Sequence, residues 1–301
     1  MKALRYHKFG GPEVLQFDDV PIPQVGAGEV LIRVSGCGVN PIDYKMREGF
    51  MAESQTLPMT SSNEFSGTVE AVGLETLGFS VGDEVYGGSW RGTCAEYAVA
   101  AVKAISLKPS SMSLVEASAV PIGAQTAWQA TFETANVEAG QRVLIHAAAG
   151  GVGHFAVQLA KWKGAYVIGT ASEKNHAFVK GLGADEVVDY HITPFETVVH
   201  DIDMVLETIG GDNFAKSFQT MKSGGILVSL VGPAEAPVGK RSAFMSMDSS
   251  TARLTEIARF IDEAKLRAVI EKVFPFQDAV LALNEVQKGR TVGKIVIDVL
   301  K

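Results

Sequence analysis

The sequence predicts an α/β domain with a doubly wound parallel sheet, inserted into a β-barrel domain. Residues 144–174 indicate the first domain, because they pass from an apolar strand through a glycine-rich turn into an amphipathic helix and a second strand, which is one βαβ unit. Residues 2–107 indicate the second domain, because short apolar runs alternate there with Gly and Pro turns, as in small barrels. The strand-rich tail from residue 270 is similar to this first part, so the middle of the chain is predicted to be an insertion.

Each predicted element follows from its apolar pattern. In the first part, strands are predicted at 3–6, 15–20, 30–39, 65–72, 84–86 and 95–99. Helical spacing then predicts helices at 114–120, 126–135, 174–181, 213–221 and 250–266, with further strands at 186–189, 204–207 and 226–230. The tail is predicted as strand, helix and strand at 270–274, 278–286 and 294–299. Alternation of helix and strand indicates a parallel sheet with both faces covered.

The length of the chain predicts two domains, because single cores stop growing at about 250 to 300 residues and this chain has 301. The pattern changes period close to residue 113. We expect residues 1–115 and 264–301 to form the β domain and residues 116–263 to form the α/β domain.

Composition narrows the class of protein. A net charge of −7 does not favour a broad surface for nucleic acid or for an anionic membrane. Cys37 and Cys94 lie far apart without C-x-x-C spacing, which argues against a zinc ribbon and a disulfide framework. The N-terminal residues lack an apolar signal segment, and no run approaches about 18 apolar residues. We therefore expect a cytoplasmic protein with no nucleic-acid or membrane partner.

The glycine-rich turn is the strongest functional signal. Ala148, Gly150 and Gly153 are spaced as G-x-G-x-x-G, with Ala in the first place. The second position lets a pyrophosphate approach the backbone, the third lets helix and strand pack closely, and the helix N-terminus offers unpaired N–H groups. Such spacing alone can also mark a plain tight turn. The strand before it and the helix after it favour dinucleotide binding.

Several further motifs occur in one order along the chain: CGVNPID at 37–43, FSG at 65–67, VGDEV at 81–85, AEY at 95–97, AGGVG at 149–153, ETIGG at 207–211 and GKIV at 293–296. In this combination the chain resembles the medium-chain dehydrogenase/reductase superfamily, and within it the zinc-independent quinone oxidoreductase, ζ-crystallin-like branch. The resemblance implies a Rossmann-type domain inserted into a GroES-like β-barrel domain. It also implies an NADPH-dependent enzyme that transfers a hydride to a quinone, and a homodimer.

The same resemblance implies that no metal takes part. Zinc members of the superfamily hold their catalytic ion with Cys, His and Cys, and the matching positions here are Asn40, Asn63 and about Ile122. Two amides and an alkyl chain do not make a zinc site, and the neighbouring Glu64 is expected to be a hydrogen-bonding group. The sequence departs from its branch at residues 61–62, where Ser-Ser stands in place of the frequent Pro-Gly. This loop is expected to affect the choice of substrate.

Residues of the cofactor site also follow from the resemblance. Ser172, Lys174 and Tyr190 match positions that hold the 2′-phosphate in NADPH-using relatives, so NADPH is predicted over NADH. Glu173, an acidic residue of the kind that binds the ribose of NADH, is adjacent. Residues 172–174 could also simply start a solvated helix. The other residues expected to contact the cofactor are Ala148, Gly150, Gly151, Val152, Gly153, Thr126, Ile209, Val231, Gly232 and Phe244.

Four residues on one predicted loop are the catalytic candidates. Asn40 is expected to orient the acceptor oxygen, and Asp43 to hold the loop by accepting backbone N–H bonds. Tyr44 and Lys45 could donate a proton to the reduced substrate, or could be plain surface. Two other functions stay open: reduction of α,β-unsaturated aldehydes or ketones, and NADPH binding without turnover, with single-stranded RNA as a conceivable ligand. No basic stripe interleaved with aromatic residues favours the last.

Overall fold

The computed structural model describes residues 1–301. The strands are β1 Lys2–Tyr6, β2 Leu15–Asp19, β3 Glu29–Val39, β4 Met59–Thr60, β5 Glu64–Val72, β6 Glu84–Gly88, β7 Tyr97–Ala101, β8 Ile105–Leu107, β9 Arg142–Ile145, β10 Tyr166–Thr170, β11 Glu186–Val188, β12 Ile202–Glu207, β13 Met221–Ser229, β14 Arg241–Phe244, β15 Ile270–Pro275 and β16 Lys294–Asp298. The α-helices are α1 Pro41–Arg47, α2 Leu114–Ala117, α3 Pro121–Trp128, α4 Gly153–Trp162, α5 His176–Gly181, α6 Asn213–Thr220, α7 Thr251–Asp262 and α8 Ala279–Gln287. No helix combines the length and the apolar character that crossing a membrane would require.

The first compact unit comprises Met1–Gln125, Ser249–Ala264 and Ala268–Lys301. Its larger sheet has the order β15-β16-β3-β5-β6-β8, with β7 also paired to β3, and a smaller sheet has the order β2-β1-β4. Neighbours in the larger sheet are antiparallel except for β15 and β16, which are parallel and joined through α8. The apolar core lies between the sheet and α8, and includes Val34, Phe65, Leu283 and Ile297.

Strand β3 explains why this unit needs glycines. Its first half alternates between buried and half-exposed residues, but from residue 34 onward every residue is buried. A Cβ atom on Gly36 would lie 2.7 Å from Ser118 Oγ, and one on Gly38 would lie 2.2 Å from Glu64 Oε1. Only glycine therefore lets the side chain of Glu64 lie against the end of β3.

The second compact unit comprises Thr126–Asp248 and Lys265–Arg267. Its six strands are all parallel, in the order β11-β10-β9-β12-β13-β14. Helix α4 follows β9, α5 follows β10 and α6 follows β12, which is the alternation expected of a doubly wound sheet. The prediction of a parallel α/β sheet within a β domain is confirmed, although the edge strand β14 was not predicted from the sequence.

The boundaries of the two units differ from those predicted from the sequence. Residues 116–125 and 249–263, predicted in the α/β domain, belong to the first unit. Helix α7 is attached there by specific bonds: Tyr86 Oη donates to Leu254 O at 2.6 Å, and Thr251 Oγ1 donates to Val102 O at 2.8 Å. The helical periodicity of 250–266 does not reveal which sheet a helix packs on, so the sequence could not place it.

Two local predictions need correction. The predicted loop that carries the four catalytic candidates is mostly helix α1, because Pro41 occupies the first helical position, where its missing N–H costs nothing. The single helix predicted at 126–135 is α3 followed by a π-helix at Gln129–Thr134.

Candidate functional site

In the second unit, the turn between β9 and α4 forms an anion site. Ala147, with φ of 48°, supplies the left-handed residue of the turn, so Ala148 need not be glycine. The N–H groups of residues 151–153 donate to no group of the protein, whereas the next N–H, that of His154, donates to Gly150 O at 3.1 Å. Free donors at the positive end of a helix dipole bind phosphate groups.

The two glycines of this turn have different surroundings. A Cβ atom on Gly153 would lie 2.2 Å from Ala147 O and 2.8 Å from Ala148 Cα, so glycine is required there for α4 to pack closely. A Cβ atom on Gly150 would meet only Ala147 O, at 3.3 Å. The backbone at Gly150 is therefore open to a ligand, which is what the second position of a dinucleotide-binding turn requires.

The strand order places this turn where such sheets bind ligands. The order reverses beside β9, which has β10 on one side and β12 on the other, and ligands of doubly wound sheets bind at the carboxyl ends of the strands at that point. Of the predicted cofactor residues, Ile209, Val231, Gly232 and Phe244 lie at or just beyond the carboxyl ends of β12, β13 and β14. Thr126 does not follow a strand, since it is a buried residue of α3.

The three residues predicted to meet a 2′-phosphate follow β10 and β11, which pair in parallel, so their carboxyl ends are neighbours. Lys174 is exposed and forms no ion pair, Tyr190 is 54% exposed, and half-buried Ser172 accepts a bond from Asn175 Nδ2 at 3.3 Å. Asp189 lies at the same edge, where its carboxylate accepts two backbone N–H groups. The Lys174 ammonium is therefore free to meet an anion.

A buried carboxylate fixes the loop that carries Ile209. Glu207 Oε1 accepts the N–H groups of Ile209 and Gly210 at 2.7 and 3.1 Å. Its Oε2 accepts bonds from Asn213 Nδ2 at 2.8 Å and Ser217 Oγ at 2.9 Å. Four donors satisfy the carboxylate without a cation, which holds the loop after β12 in place.

His146, at the end of β9, completes this network as a neutral side chain. Since the Ser217 hydroxyl donates to Glu207, it accepts from His146 Nε2 at 2.9 Å, and Nδ1 accepts from Thr170 Oγ1 at 3.1 Å. Burial lowers the pKa of His146 to about 4, although Glu207 lies 3.8 Å away and acts in the opposite direction. The imidazole is therefore uncharged at neutral pH.

In the first unit, Asn40 is the centre of a buried polar cluster. Its Nδ2 donates to Glu64 Oε1 at 2.8 Å, and Lys294 Nζ donates to its Oδ1 at 2.5 Å. Lys294 and Glu64 are themselves ion-paired, and the second carboxylate oxygen accepts Ile122 N–H at 2.7 Å. The three side chains of Asn40, Glu64 and Lys294 are at most 6% exposed.

Helix α1 places Asn40 in this cluster. Asn40 is the N-cap residue, and its own N–H donates to Asp43 Oδ2 at 2.8 Å, as in a capping box. An N-cap Asn ordinarily uses its side chain to accept an N–H of the first turn. The side chain of Asn40 also bonds to Glu64 and Lys294, which hold it in the cluster.

Asp43 lies beside this cluster and does accept a backbone N–H, as predicted. Its other oxygen accepts Asn63 Nδ2 at 2.9 Å. Burial, together with the like charge of Glu64, raises the pKa of Asp43 to about 7, against the opposing hydrogen bonds from Asn40 and Asn63. This carboxyl therefore ionises close to neutral pH.

The residues of this cluster do not fit a zinc ion. Asn40 and Asn63 use their amide nitrogens on carboxylates, and Ile122 contributes only a backbone N–H. The Lys294 ammonium adds a fixed positive charge beside Asn40 and Glu64, which repels a second cation. No group of three or more His, Cys, Asp or Glu side chains is placed to hold a metal ion.

The remaining predicted residues have separate surroundings. Tyr44 is half-buried on α1, and burial and Glu48 raise its pKa, so its phenol keeps its proton at neutral pH. Lys45 is exposed. Ser62 has φ of 62°, the left-handed conformation for which a glycine would be favoured, and its hydroxyl donates to Gly38 O at 2.6 Å.

The sequence did not single out Lys294, Glu207 or His146 as site residues. Lys294 is the first residue of β16, before three apolar residues, and a lysine at the start of a strand ordinarily lies in solvent. Lys294 lies in the GKIV motif at residues 293–296, which indicated that this position matters. Its partner Glu64 is 230 residues away in the chain, so the motif alone does not reveal the ion pair. The antiparallel pairing of β3 with both β16 and β5 brings the two together.

Known proteins are similar to this chain over nearly its whole length. Residues 26–110 match the family model of the alcohol dehydrogenase GroES-like domain, and residues 182–297 match that of zinc-binding dehydrogenases. A 2-methylene-furan-3-one reductase of Solanum lycopersicum is 33% identical over 99% of this chain and 79% of its own length. The solved quinone oxidoreductase from Coxiella burnetii is 35% identical, with a TM-score of 0.92 over 99% of each chain. A mycobacterial protein solved in complex with NADPH is 29% identical, with a TM-score of 0.89 over 99% of each chain.

Proposed function

Since this chain belongs to the medium-chain dehydrogenase/reductase superfamily, in its zinc-independent quinone oxidoreductase branch, we propose that it is an NADPH-dependent oxidoreductase that reduces quinones. In this reaction the quinone takes up a hydride and a proton and becomes a hydroquinone. The cofactor supplies the hydride when it is bound. The protein binds the cofactor, orients the acceptor and delivers the proton.

The free N–H groups of residues 151–153, beside the open backbone of Gly150, are the observation that carries this proposal. They supply donors for a pyrophosphate at the point where the strand order reverses. The network around Glu207 holds the next loop at the same edge of the sheet, so that the site is formed before the cofactor arrives.

In the first unit, the carboxamide of Asn40 is the group that we assign to the acceptor oxygen. It is fixed by two charged neighbours, and no metal ligand set competes for that role. Tyr44, whose phenol keeps its proton, is the proposed proton donor, and the exposed Lys45 is the alternative.

Reduction of α,β-unsaturated ketones is a second candidate. The observation that favours it is the similarity to the tomato 2-methylene-furan-3-one reductase over nearly the whole chain. Both candidates place a carbonyl oxygen against the same donor and differ in the carbon that receives the hydride. Binding of NADPH without turnover is the third.

Oxidation of NADPH and of NADH, followed at equal concentration over quinones, enones and saturated aldehydes, separates these candidates. We expect the fastest turnover with NADPH and a quinone. Faster turnover of enones would select the second candidate, and cofactor binding without turnover of any acceptor would select the third.

The dinucleotide site is tested by Gly150→Val, which places a side chain where the pyrophosphate approaches the backbone. NADPH affinity should fall sharply while the fold survives. The matched control is Gly181→Val in the same unit, since a Cβ atom on Gly181 meets nothing within 4 Å. Unchanged affinity in the Gly150 variant would mean that this turn is not the cofactor site.

Cofactor choice is tested by Lys174→Ala, with exposed Lys180→Ala on α5 as the matched control. A charge-assisted hydrogen bond contributes about 1.5 to 3 kcal/mol, so NADPH should bind about ten- to a hundredfold more weakly. NADH affinity should hardly change. Equal losses for both cofactors would show that Lys174 does not read the phosphate, and wild-type preference for NADH would exclude NADPH as the cofactor.

We also propose that the reaction needs no zinc. The ammonium of Lys294 and the amides of Asn40 and Asn63 support this proposal. Elemental analysis of the purified protein should find no stoichiometric zinc, and chelators should leave turnover unchanged. Zinc that is lost together with activity would contradict the proposal.

A further inference from the structure

The carboxamide of Asn40 has one possible orientation. Lys294 Nζ lies against its oxygen and Glu64 Oε1 lies against its nitrogen. An ammonium can only donate and a carboxylate can only accept. A reversed carboxamide would set donor against donor and acceptor against acceptor. Because all three side chains are buried, solvent cannot relieve that conflict.

One hydrogen-bond donor of Asn40 is left uncommitted. Lys294 donates to Oδ1 and Glu64 accepts one Nδ2 hydrogen, so the second Nδ2 hydrogen is the remaining donor of this side chain. Lys294 also donates to Val39 O at 3.3 Å, so the same ammonium holds the backbone just before Asn40. The cluster therefore holds this donor in a fixed orientation.

We infer that Lys294 and Glu64 are positioning residues, which hold the Asn40 carboxamide so that its nitrogen is the hydrogen-bond donor to the acceptor oxygen of the substrate. The inference rests on the proposed function, because it assigns Asn40 to the acceptor oxygen. A donor on a carbonyl oxygen strengthens as negative charge develops there during hydride addition.

Steady-state kinetics of a double-mutant cycle test this assignment. Removal of one such donor lowers kcat by about a hundred- to a thousandfold, which we expect for Asn40→Ala with little change in KM for the acceptor. Lys294→Met should lower kcat at least about tenfold by freeing the carboxamide. In the Asn40→Ala background, Lys294→Met should have no further effect on kcat, because the residue through which it acts is gone.

The matched control is Lys272→Met on β15, the strand paired with β16, since this lysine is exposed and makes no contact with the cluster. Its kcat and KM should equal those of the wild type. Additive losses in the double variant, or wild-type kcat in Lys294→Met, would overturn the inference.

A second variant covers the case in which Lys294→Met does not fold. In Lys294→Met/Glu64→Gln both charges are removed together, which buried pairs often tolerate. The new glutamine can donate to Asn40 Oδ1, so the carboxamide is free to reverse. We expect a folded protein with NADPH affinity of the wild type and with kcat close to that of Asn40→Ala. A kcat equal to that of the wild type would overturn the inference.

A readout without turnover separates this inference from the proposed function. In ¹⁵N-labelled protein, the Asn40 side chain should give two distinct Nδ2 proton signals, of which the one bonded to Glu64 exchanges more slowly. Asn40→Ala assigns them, because both signals disappear in that variant. The difference in exchange should be lost in Lys294→Met and kept in Lys272→Met. Equally fast exchange of both Nδ2 protons in the wild type would overturn the positioning role. Slow exchange of one Nδ2 proton in a protein that reduces no acceptor would overturn the proposed function but not the positioning role.

Discussion

Each of the two units contains one fully buried carboxylate at the end of a strand, and the two are stabilised in opposite ways. Glu64, at the start of β5, is ion-paired with Lys294 and accepts an amide and a backbone N–H. Glu207, at the end of β12, meets no cation, since its neighbour His146 is neutral. Four N–H and O–H donors take the place of the counter-ion there.

The difference shows what each carboxylate is for. An ion pair in a low-dielectric interior fixes the orientation of the polar group between its members, because both ends of that group feel full charges. A carboxylate surrounded by dipoles instead fixes the backbone that supplies them. The first arrangement suits the positioning of one side chain, Asn40, and the second suits the shaping of the loop that carries Ile209.

The largest expected effect comes from leaving one buried charge unpaired. Lys294→Met leaves Glu64 without a counter-ion, which should lower the free energy of unfolding by about 3 to 5 kcal/mol. Glu207→Gln replaces one carboxylate oxygen by an NH₂ group, which then faces two hydrogen-bond donors that have lost their acceptor. This should lower the free energy of unfolding by about 1 to 3 kcal/mol. Guanidinium titrations at pH 7 measure both, with Lys272→Met as the control. A larger loss for Glu207→Gln than for Lys294→Met would reverse the comparison.

The pH dependence of stability should differ in sign between the two units. In the first unit, the pKa of Asp43 is raised to about 7, so the folded protein keeps a proton that the unfolded chain releases above about pH 4. The contribution of Asp43 to the free energy of unfolding is therefore fully present at low pH. It falls by at most about 4 kcal/mol as the pH rises from 4 to 7. Asp43→Asn should remove that decline. An unchanged pH profile in this variant would show that Asp43 is ionised throughout.

His146 in the second unit should have the opposite slope, with a smaller effect. The pKa of His146 is lowered to about 4 in the folded protein. Between pH 6.5 and pH 4 the imidazole is therefore protonated in the unfolded chain and neutral in the folded protein. The contribution of His146 to the free energy of unfolding is fully present above pH 6.5. It falls by about 3 kcal/mol as the pH decreases towards 4. Unfolding of His146→Gln and of the wild type, compared from pH 4.5 to 7, measures it. A parallel pair of curves would mean that the imidazole is protonated in the folded state.

The part of this molecule that the sequence predicts is the part with local patterns. The turn at Gly150 and Gly153 and most of the strands follow from spacing within a few residues, and the doubly wound sheet follows from their alternation. Strand β14 has only four residues and no apolar periodicity, and α7 packs on a sheet more than a hundred residues earlier in the chain. Long-range packing of this kind leaves no trace in local periodicity.

The candidate site divides in the same way. Asn40 and Asp43 could be predicted because they lie on one motif, and the structure places both in a buried cluster. The partner that orients Asn40 could not, because Lys294 reaches it through the pairing of β16 with β3. The roles of Ser172, Lys174 and Tyr190 stay predictions, since they concern a phosphate whose contacts only binding measurements can establish.

The smallest effect concerns the left-handed turns beside the two carboxylates. The turn after Glu207 has a glycine in this conformation, Gly210, with φ of 80°. The turn before Glu64 has a serine, Ser62, with φ of 62°, and a side chain in this conformation costs about 1 kcal/mol or more. Ser62→Ala keeps that cost and loses the bond to Gly38 O, for a loss in stability of about 1 kcal/mol. Ser62→Gly loses the same bond but relieves the backbone, so it should be more stable than Ser62→Ala by about 1 kcal/mol. Guanidinium titrations of the two variants isolate the strain, because the hydroxyl is absent from both. Equal stability would mean that the turn stores no strain, and that the serine at this position costs the first unit nothing.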